Sequence, residues 1–297
     1  MEPSFAYRLK NEMVENKAFR LRQKTAQAHG FFLFGRRFSR EEISLHTEDE
    51  EIARLFGWFV ISLAGKKAVV TRTRKKGILR MEVPAQSDRD KLVELFGDGE
   101  QLDIGKLARP EEKGAFLCGA FLACGNITDP QKSYHLEFVV RNEALCQPLA
   151  DLLEECCGQS RLSKRRGLPL VYYKDCTQIE DLLAFMGAVK GSLEIVDIEI
   201  LKNVRNQANR ATNCETANID KTVNAAATQI ADISYILETA GENALPEALR
   251  QLAHFRLENP EMSLRDLAAL FPGGLSRSGI HHRLAKISAI AEELRQK

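Results

Sequence analysis

The side chains with the clearest chemical meaning lie near the end of this 297-residue chain. After two consecutive glycines, a short stretch carries hydroxyl, guanidinium, imidazole and ammonium groups and no carboxylate. Its polar members are Ser276, Arg277, Ser278, His281, His282, Arg283 and Lys286. An arginine can donate two parallel hydrogen bonds to a guanine edge or bind a phosphate, and a serine can serve either target. This set therefore predicts contacts with duplex DNA.

A short helix and a longer one after it, with Ile280, Leu284, Ile287, Ala291 and Leu294 on one face, are predicted to hold these side chains in place. Ser263 is a typical N-cap, and Asp266 three residues later completes a variant of the capping box. The segment Pro272-Gly273-Gly274 ends that helix, and Ser276 caps the next one, which enters the major groove by its N-terminal part. The N-terminal end of this second helix is also suited to bind a phosphate. Helix, glycine turn and helix predict a helix-turn-helix module, although similar hairpins also occur in proteins that bind no DNA. His281 and His282 are adjacent, so they diverge on a helix and predict no metal site.

Charge is unevenly placed along the chain, although its formal net charge is only +1. Residues 52–81, 200–214 and 267–291 contain lysine and arginine but no aspartate or glutamate. Such stretches favour a polyanionic partner, although basic surface residues are also common for solubility alone. The candidate phosphate contacts outside the helix-turn-helix are Arg74, Lys75, Lys76, Lys164, Arg165, Arg166, Arg205 and Arg210.

A repeat of about ninety residues predicts the fold of the first two thirds. Gly35, Gly77 and Gly97 recur as Gly125, Gly167 and Gly187 in matching surroundings. Each copy, about 1–97 and 110–190, has the predicted order αββαββα, and the two copies should pack around a pseudo-twofold axis. The basic turns at 74–76 and 164–166 then fall at equivalent ends of the two halves. The predicted class is α+β, with a degenerate two-repeat domain over residues 1–195, a helical linker over 196–242 and an all-α helix-turn-helix domain over 243–297. A single amphipathic helix is predicted over residues 216–239.

Residues 117–125, Leu-Cys-Gly-Ala-Phe-Leu-Ala-Cys-Gly, resemble the LAGLIDADG helix of homing endonucleases, which are built from two αββαββα halves. Gly119 and Ala123 should allow close helix packing, and at a spacing of 90 their counterparts are His29 and Leu33. Either the helix contact is looser on that side, or the two copies align with a shift of one residue here. The resemblance implies a metal-binding carboxylate beside the last motif position, but Cys124 and Phe34 stand there. The nearest acid, Asp129, precedes Pro130 and is typical of a turn. We therefore expect no catalytic residue, no metal and no cofactor.

The combination resembles the WhiA family, which joins a degenerate LAGLIDADG-like domain to a C-terminal helix-turn-helix. The match rests on residues 113–137, on the Asn- and Arg-rich segment 204–222 and on residues 275–286. It implies a DNA-binding transcription regulator of cell division, chromosome segregation or sporulation, acting on double-stranded DNA with a partner regulator. An adaptor of the division machinery and an active homing endonuclease are the alternatives. The oligomeric state stays open.

The cellular location follows from cysteine usage and hydropathy. Seven cysteines without a Cys-x-x-Cys pair favour a reducing compartment. The charged start and the lack of a long apolar run predict neither a signal peptide nor a membrane span. The expected location is cytoplasmic and nucleoid-associated.

Overall fold

A computed structural model describes residues 3–296. It begins with helix α1 (Phe5–Val14). The first repeat follows as α2 (Leu21–Leu33), β1 (Arg37–Phe38), β2 (Ile43–Thr47), α3 (Glu50–Ala64), β3 (Thr71–Lys75), β4 (Ile78–Glu82) and α4 (Gln86–Phe96). The second comprises α5 (Pro110–Cys124), β5 (Gly125–Ile127), β6 (Leu136–Val139), α6 (Cys146–Cys157), β7 (Arg161–Arg165), β8 (Leu168–Tyr173) and α7 (Cys176–Phe185). Both repeats have the order αββαββα, which confirms the predicted α+β class.

Each repeat contributes one four-stranded antiparallel sheet. The strand orders are β1-β2-β4-β3 and β5-β6-β8-β7, so the two sheets have the same topology. Burial alternates along β4, where Leu79 and Met81 are buried while Ile78, Arg80 and Glu82 are exposed. One face of the first sheet therefore packs on helices, and the other face does not. This second face is called here the open face, and the equivalent face of the second sheet is given the same name.

Helices α2 and α5 pack tightly in the core of the N-terminal unit because each has a glycine at the contact. A Cβ on Gly30 would overlap the carbonyl oxygen of Phe116, and a Cβ on Gly119 would overlap that of Gln27. Only glycine fits such backbone contact without displacement. The prediction that Gly119 lets the two helices approach closely is confirmed, but its counterpart in the first repeat is Gly30 rather than His29.

The structure shifts the alignment of the repeats by one residue in this region. Gly30 and Gly119 are 89 positions apart, and the strand ladders place Arg37 and Asn126, also 89 apart, at equivalent positions. The basic hairpin turns keep the spacing of 90, since Arg74 pairs with Leu79 as Lys164 pairs with Pro169. Gly35 is accordingly the counterpart of Cys124.

The chain divides into two compact units after Lys202, within helix α8 (Val189–Ala240). This helix is longer than the predicted span of 216–239. No glycine or proline occurs from 192 to 240, so nothing in that stretch interrupts a helix. The second unit also contains α9 (Glu247–Glu258), α10 (Leu264–Leu270) and α11 (Arg277–Arg295). The predicted domain boundaries remain a prediction.

A separate apolar core holds the second unit together. Its buried residues include Ile233 and Ile236 of α8, Leu252 of α9, Leu267 of α10 and Leu284 of α11. The end of α8 is thus part of the core on which α10 and α11 pack. None of the helices formed by residues 3–296 is long and apolar enough to cross a membrane.

Candidate nucleic-acid interface

Serine side chains cap both helices of the helix-turn-helix. The Ser263 hydroxyl accepts a hydrogen bond from the Asp266 N–H at 3.3 Å and donates to its carboxylate at 2.7 Å. Ser276 accepts from the Gly279 N–H at 3.1 Å. Between the helices, Gly273 and Gly274 have φ angles of 94° and 67°, a conformation that favours glycine. These hydrogen bonds and backbone angles confirm the two predicted N-caps and the predicted glycine turn.

Helix α11 presents one polar face and one apolar face. Ile280, Leu284 and Ile287 are buried. The predicted DNA-contacting side chains are exposed, except for the half-buried Arg283: Ser276, Arg277, Ser278, His281, His282 and Lys286. Within residues 3–296, no carboxylate pairs with Arg277, Arg283 or Lys286. These three cations therefore remain available to an anionic partner.

The two basic hairpin tips adopt the same unusual backbone conformation. Lys76 and Gly77 have φ angles of 52° and 83°, and Arg166 and Gly167 have φ angles of 50° and 82°. Two-residue hairpin turns of this kind prefer asparagine or glycine at the first position. A long side chain there costs on the order of 1 kcal/mol, yet both repeats place a cation at the tip.

Half of the predicted hairpin cations are already paired within the protein. Arg74 binds Glu50 at 2.7 Å, Lys164 binds Glu143 at 2.7 Å, and Arg165 makes two bonds of 2.6 Å to Glu137. The other three cations, Lys75, Lys76 and Arg166, have no carboxylate within 4 Å in the part of the chain that the structure describes. A polyanion would bind these three most readily, because it would not have to displace a carboxylate.

Strand register decides which basic residues share the open faces. Lys75 is opposite Ile78, and Arg80 lies on the same face of the first sheet. Arg161 and Arg165 lie on the corresponding face of the second sheet, opposite Tyr172 and Leu168. Sequence reasoning missed Arg80 and Arg161. The period of two along a strand, which puts Arg161 on the same face as Arg165 and Arg80 on the same face as Ile78, is the signal that could have found them.

Glu137 makes the open face of the second sheet less positive than its sequence implies. Its side chain is only 3% exposed and binds both the Arg165 guanidinium and His135 Nε2, the latter at 2.9 Å. Burial raises the pKa of Glu137, but the hydrogen bonds from His135 and Arg165 outweigh burial and leave the pKa below its ordinary value. Arg165 is therefore paired with a buried carboxylate that lies 28 residues away in sequence.

The positions that correspond to the nuclease acids carry no carboxylate. They are Cys124 and, after the one-residue shift, Gly35 rather than Phe34. Burial raises the pKa of the Cys124 thiol to about 12, so this thiol is protonated at neutral pH. Asp129 accepts the Gln131 N–H at 2.9 Å within the β5–β6 connection, as its neighbour Pro130 predicted. Neither repeat offers the hard oxygen ligands that metal-assisted hydrolysis requires at the helix end.

One other cluster has the geometry of a cation site. Cys176 Sγ and carboxylate oxygens of Glu180 and Glu199 lie within 4.8 Å of one another. Burial raises the pKa of Cys176 to about 12, so a neutral thiol faces the two carboxylates. The cluster brings together residues far apart in sequence, which is why no spacing motif indicated it. We assign no metal to it.

The remaining predicted phosphate contacts, Arg205 and Arg210, lie on α8. Every residue from 203 to 221 is exposed, so both guanidinium groups are open to solvent. They are the only basic residues in that exposed stretch before Lys221.

Comparison with known proteins agrees with this architecture. A family model for the WhiA LAGLIDADG-like domain matches residues 113–205, and one for the WhiA C-terminal HTH domain matches residues 208–291. A Clostridium botulinum protein named "Probable cell division protein WhiA" is 33% identical over 261 residues, which cover 86% of this chain and 80% of the relative. A Clostridium beijerinckii protein of the same name is 44% identical over 183 residues, covering 62% of this chain and 58% of the relative.

A solved structure also aligns along nearly the whole chain. Full-length WhiA from T. maritima superposes with a TM-score of 0.60 at 26% identity, covering 98% of this chain and 99% of that one. Fold and site together define a helix-turn-helix protein that carries a degenerate LAGLIDADG-like domain. The chain belongs to the WhiA family, which confirms the resemblance predicted from its motifs.

Proposed function

We propose that this protein is a sequence-specific regulator of transcription that binds double-stranded DNA through α11. The observation that carries the proposal is the polar face of α11, which is capped at its N-terminus and carries cations without a carboxylate partner in the described chain. A helix of this kind fits the major groove, where it can reach base edges and both phosphate backbones.

The position of each side chain on α11 determines whether it contacts base edges or phosphates. Arg277 and Ser278, in the first turn, read base edges, while His281, His282 and Arg283 follow along the same groove. Lys286 contacts the backbone further along, and the N-terminus at Ser276 binds a phosphate. Phosphate contacts fix the position of the helix, and base contacts select the sequence.

The basic hairpins add affinity without selecting sequence. Lys75, Lys76 and Arg166 are the strongest candidates because they lack partners in the described chain, and Arg74, Lys164 and Arg165 would have to exchange a carboxylate for a phosphate. Arg205 and Arg210 on the exposed part of α8 add further phosphate contacts. Symmetric cations at two hairpin tips suit a duplex, which presents phosphates on both sides of a groove.

The biological role is inferred from relatives. Proteins at 33–44% identity are named as cell division proteins, which supports a role in division, chromosome segregation or sporulation. Such a role places this protein in the cytoplasm in association with the nucleoid, where a partner regulator shares its promoters.

The two-repeat domain, in this proposal, is a scaffold that does not hydrolyse DNA. Gly35 and Cys124 replace the acids that would hold metal ions. Incubation of supercoiled plasmid with the protein and Mg²⁺ or Mn²⁺ should yield no nicked product. Nicking that depends on metal and disappears with Asp129→Asn would contradict this assignment.

Two sets of variants test the division of labour between α11 and the hairpins. Arg277→Ala combined with Arg283→Ala should reduce affinity for an enriched duplex to the level of a scrambled one. Lys75→Ala, Lys76→Ala and Arg166→Ala together should weaken binding to both duplexes equally and lower the salt dependence by about one unit per cation. Arg54→Ala, which removes an exposed arginine paired with Glu51, is the matched control. Loss of sequence preference from the hairpin set alone would refute the assignment of base reading to α11.

A further inference from the structure

A cavity of about 570 Å³ lies within the C-terminal unit, where all four of its helices meet. Each helix contributes one cation to the lining: Lys221 from α8, Arg256 from α9, Arg265 from α10 and Arg277 from α11. No aspartate or glutamate of the described chain lines it. Four positive charges that converge from separate elements on one space repel each other, so an anion bound between them would be electrostatically favourable.

Arg256 is the deepest of these cations. It is only 1% exposed, yet no carboxylate of residues 3–296 lies within 4 Å of it. One terminal nitrogen donates to the Met262 carbonyl at 2.5 Å, while Nε is buried with no hydrogen-bond partner. Buried charges in proteins are normally paired, because removal from water costs several kcal/mol per ion, by general estimates. An anion bound in the cavity would supply both the negative charge and the hydrogen-bond acceptor that Arg256 lacks.

The uncharged lining supports a ligand larger than a bare anion. Asn218, Thr222 and Ser263 add amide and hydroxyl groups at the wall, and Gln229 has a buried amide oxygen without a partner. The volume lies in the range of sites for small organic molecules. Three of these residues come from α8, in or just beyond the Asn-rich stretch whose role the sequence leaves open.

We propose that this cavity is a binding site for the phosphate groups of a small phosphorylated molecule. Arginine is well suited to phosphate because its planar guanidinium donates parallel hydrogen bonds to two oxygens. A free molecule fits better than a backbone phosphate of duplex DNA, since Arg256 is almost completely enclosed while a duplex is wide and stiff. The ligand engages Lys221 and Arg265 near the exterior and Arg256 at the bottom.

Arg277 connects this site to DNA binding. It lines the cavity and is also the first arginine of the proposed recognition helix. A phosphate that holds Arg277 removes it from the groove, so the ligand should lower affinity for the preferred DNA sequence. This consequence rests on the proposed function, whereas phosphate binding itself does not.

Thermal unfolding of the full-length protein tests the site without DNA. The probes are inorganic phosphate, pyrophosphate and adenosine triphosphate at millimolar concentration and constant ionic strength. A ligand that binds only the folded state raises the unfolding temperature in a saturable way. Lys221→Gln, an exposed change that keeps the fold, should weaken pyrophosphate at least about tenfold, in line with the loss of one charged hydrogen bond. Arg256→Gln should remove the response, and Arg54→Gln is the control and should keep it.

Each other outcome overturns the proposal. If none of the three probes raises the unfolding temperature of the wild type, the cavity does not bind the phosphate groups of a free small molecule. An equal response in wild type and Lys221→Gln would place the anion elsewhere. If the probes have no effect while Lys221→Gln weakens binding to every duplex, the cavity holds a DNA backbone phosphate instead. Failure of the proposed function itself would appear separately, as a wild type that responds to pyrophosphate but prefers no DNA sequence.

Discussion

Gly30 and Gly119 are the residues on which the packing of the two repeats depends most directly. Their backbones face the opposing helix without room for a side chain. We expect Gly30→Ala or Gly119→Ala to destabilise the protein by about 3 kcal/mol, because relief of the overlap must separate two closely packed helices. Urea unfolding of the full-length protein measures this loss.

Gly57 provides the matched control. It also lies inside a helix, but a Cβ there meets nothing within 4 Å. Gly57→Ala should stabilise the protein by up to about 1 kcal/mol through helix propensity. A Gly30→Ala protein as stable as Gly57→Ala would show that the helices do not touch at this point.

His29 makes the stability of the same region depend on pH. Its ring stacks on Phe96, its Nε2 is buried without a partner, and burial followed by the charge of Lys106 lowers its pKa to about 4. An unfolded histidine titrates near 6.5, so the unfolded state takes up the proton first. The contribution of neutral His29 is therefore complete above pH 6.5 and is lost as the pH falls from 6.5 to about 4.

The pH effect can be isolated by substitution. As the pH falls from 6.5 to about 4, this residue should lower the free energy of unfolding by about 3 kcal/mol. His29→Leu should remove that part of the slope while leaving the pH dependence above pH 7 unchanged, as followed by urea unfolding at a series of pH values. Parallel curves for wild type and variant between pH 6.5 and 4 would contradict a buried neutral His29.

At the hairpin tips, the two cations proposed to bind DNA also lower the stability of the fold. Lys76→Asn with Arg166→Asn should stabilise the protein by about 1 kcal/mol, because asparagine tolerates the left-handed conformation better than long side chains do. The same variant should bind all duplexes more weakly, whereas Lys17→Asn, on the exposed connection after α1, should not. Unchanged DNA affinity in the tip variant would mean that these cations do not contact phosphate.

At the scale of elements, the glycine repeat predicted the order of helices and strands in both halves. Turn residues and helix caps act locally, so Lys76-Gly77, Arg166-Gly167, Ser263 and Ser276 could be read without a structure. The helix register was wrong by one residue because the repeat spacing is 89 through α2 and β1 but 90 at the hairpin turns. A glycine match at Gly35 and Gly125 concealed that difference.

Contacts between distant residues were beyond sequence reasoning. The pair of Arg165 with Glu137 joins two strands, and the cation cluster around Arg256 joins four helices. Neither follows from local propensity, because each depends on how elements pack. The extent of α8 was missed for another reason, since a polar, asparagine-rich stretch gives no apolar periodicity even when it is helical.

The end of α8 should be required for the helix-turn-helix to fold. Ile233 and Ile236 are fully buried in its core, and Asp232 binds Arg295 at 2.8 Å. A fragment of residues 203–297 should therefore show a cooperative thermal transition by circular dichroism. A fragment of residues 243–297 lacks these contacts and should show none. An equally cooperative transition in the shorter fragment would show that α8 is dispensable.

At the scale of the whole molecule, the chain combines a scaffold without nuclease acids and a module with the features of a DNA reader. The scaffold keeps the two-repeat architecture, and the glycines, the buried Glu137 and the neutral Cys124 are consistent with packing rather than catalysis. Exposed cations lie on α11, at the hairpin tips and on α8, as they do elsewhere on the surface. The proposed binding to duplex DNA uses these three sets.

The most direct test of the central claim is selection of duplexes from a random-sequence library by the full-length protein and by residues 203–297, each at two salt concentrations. We predict that both enrich the same sequence, and that the full-length protein binds it more tightly, with the difference shrinking at high salt. Failure of both proteins to enrich any sequence would contradict DNA reading by α11 and leave a protein-binding role for this fold.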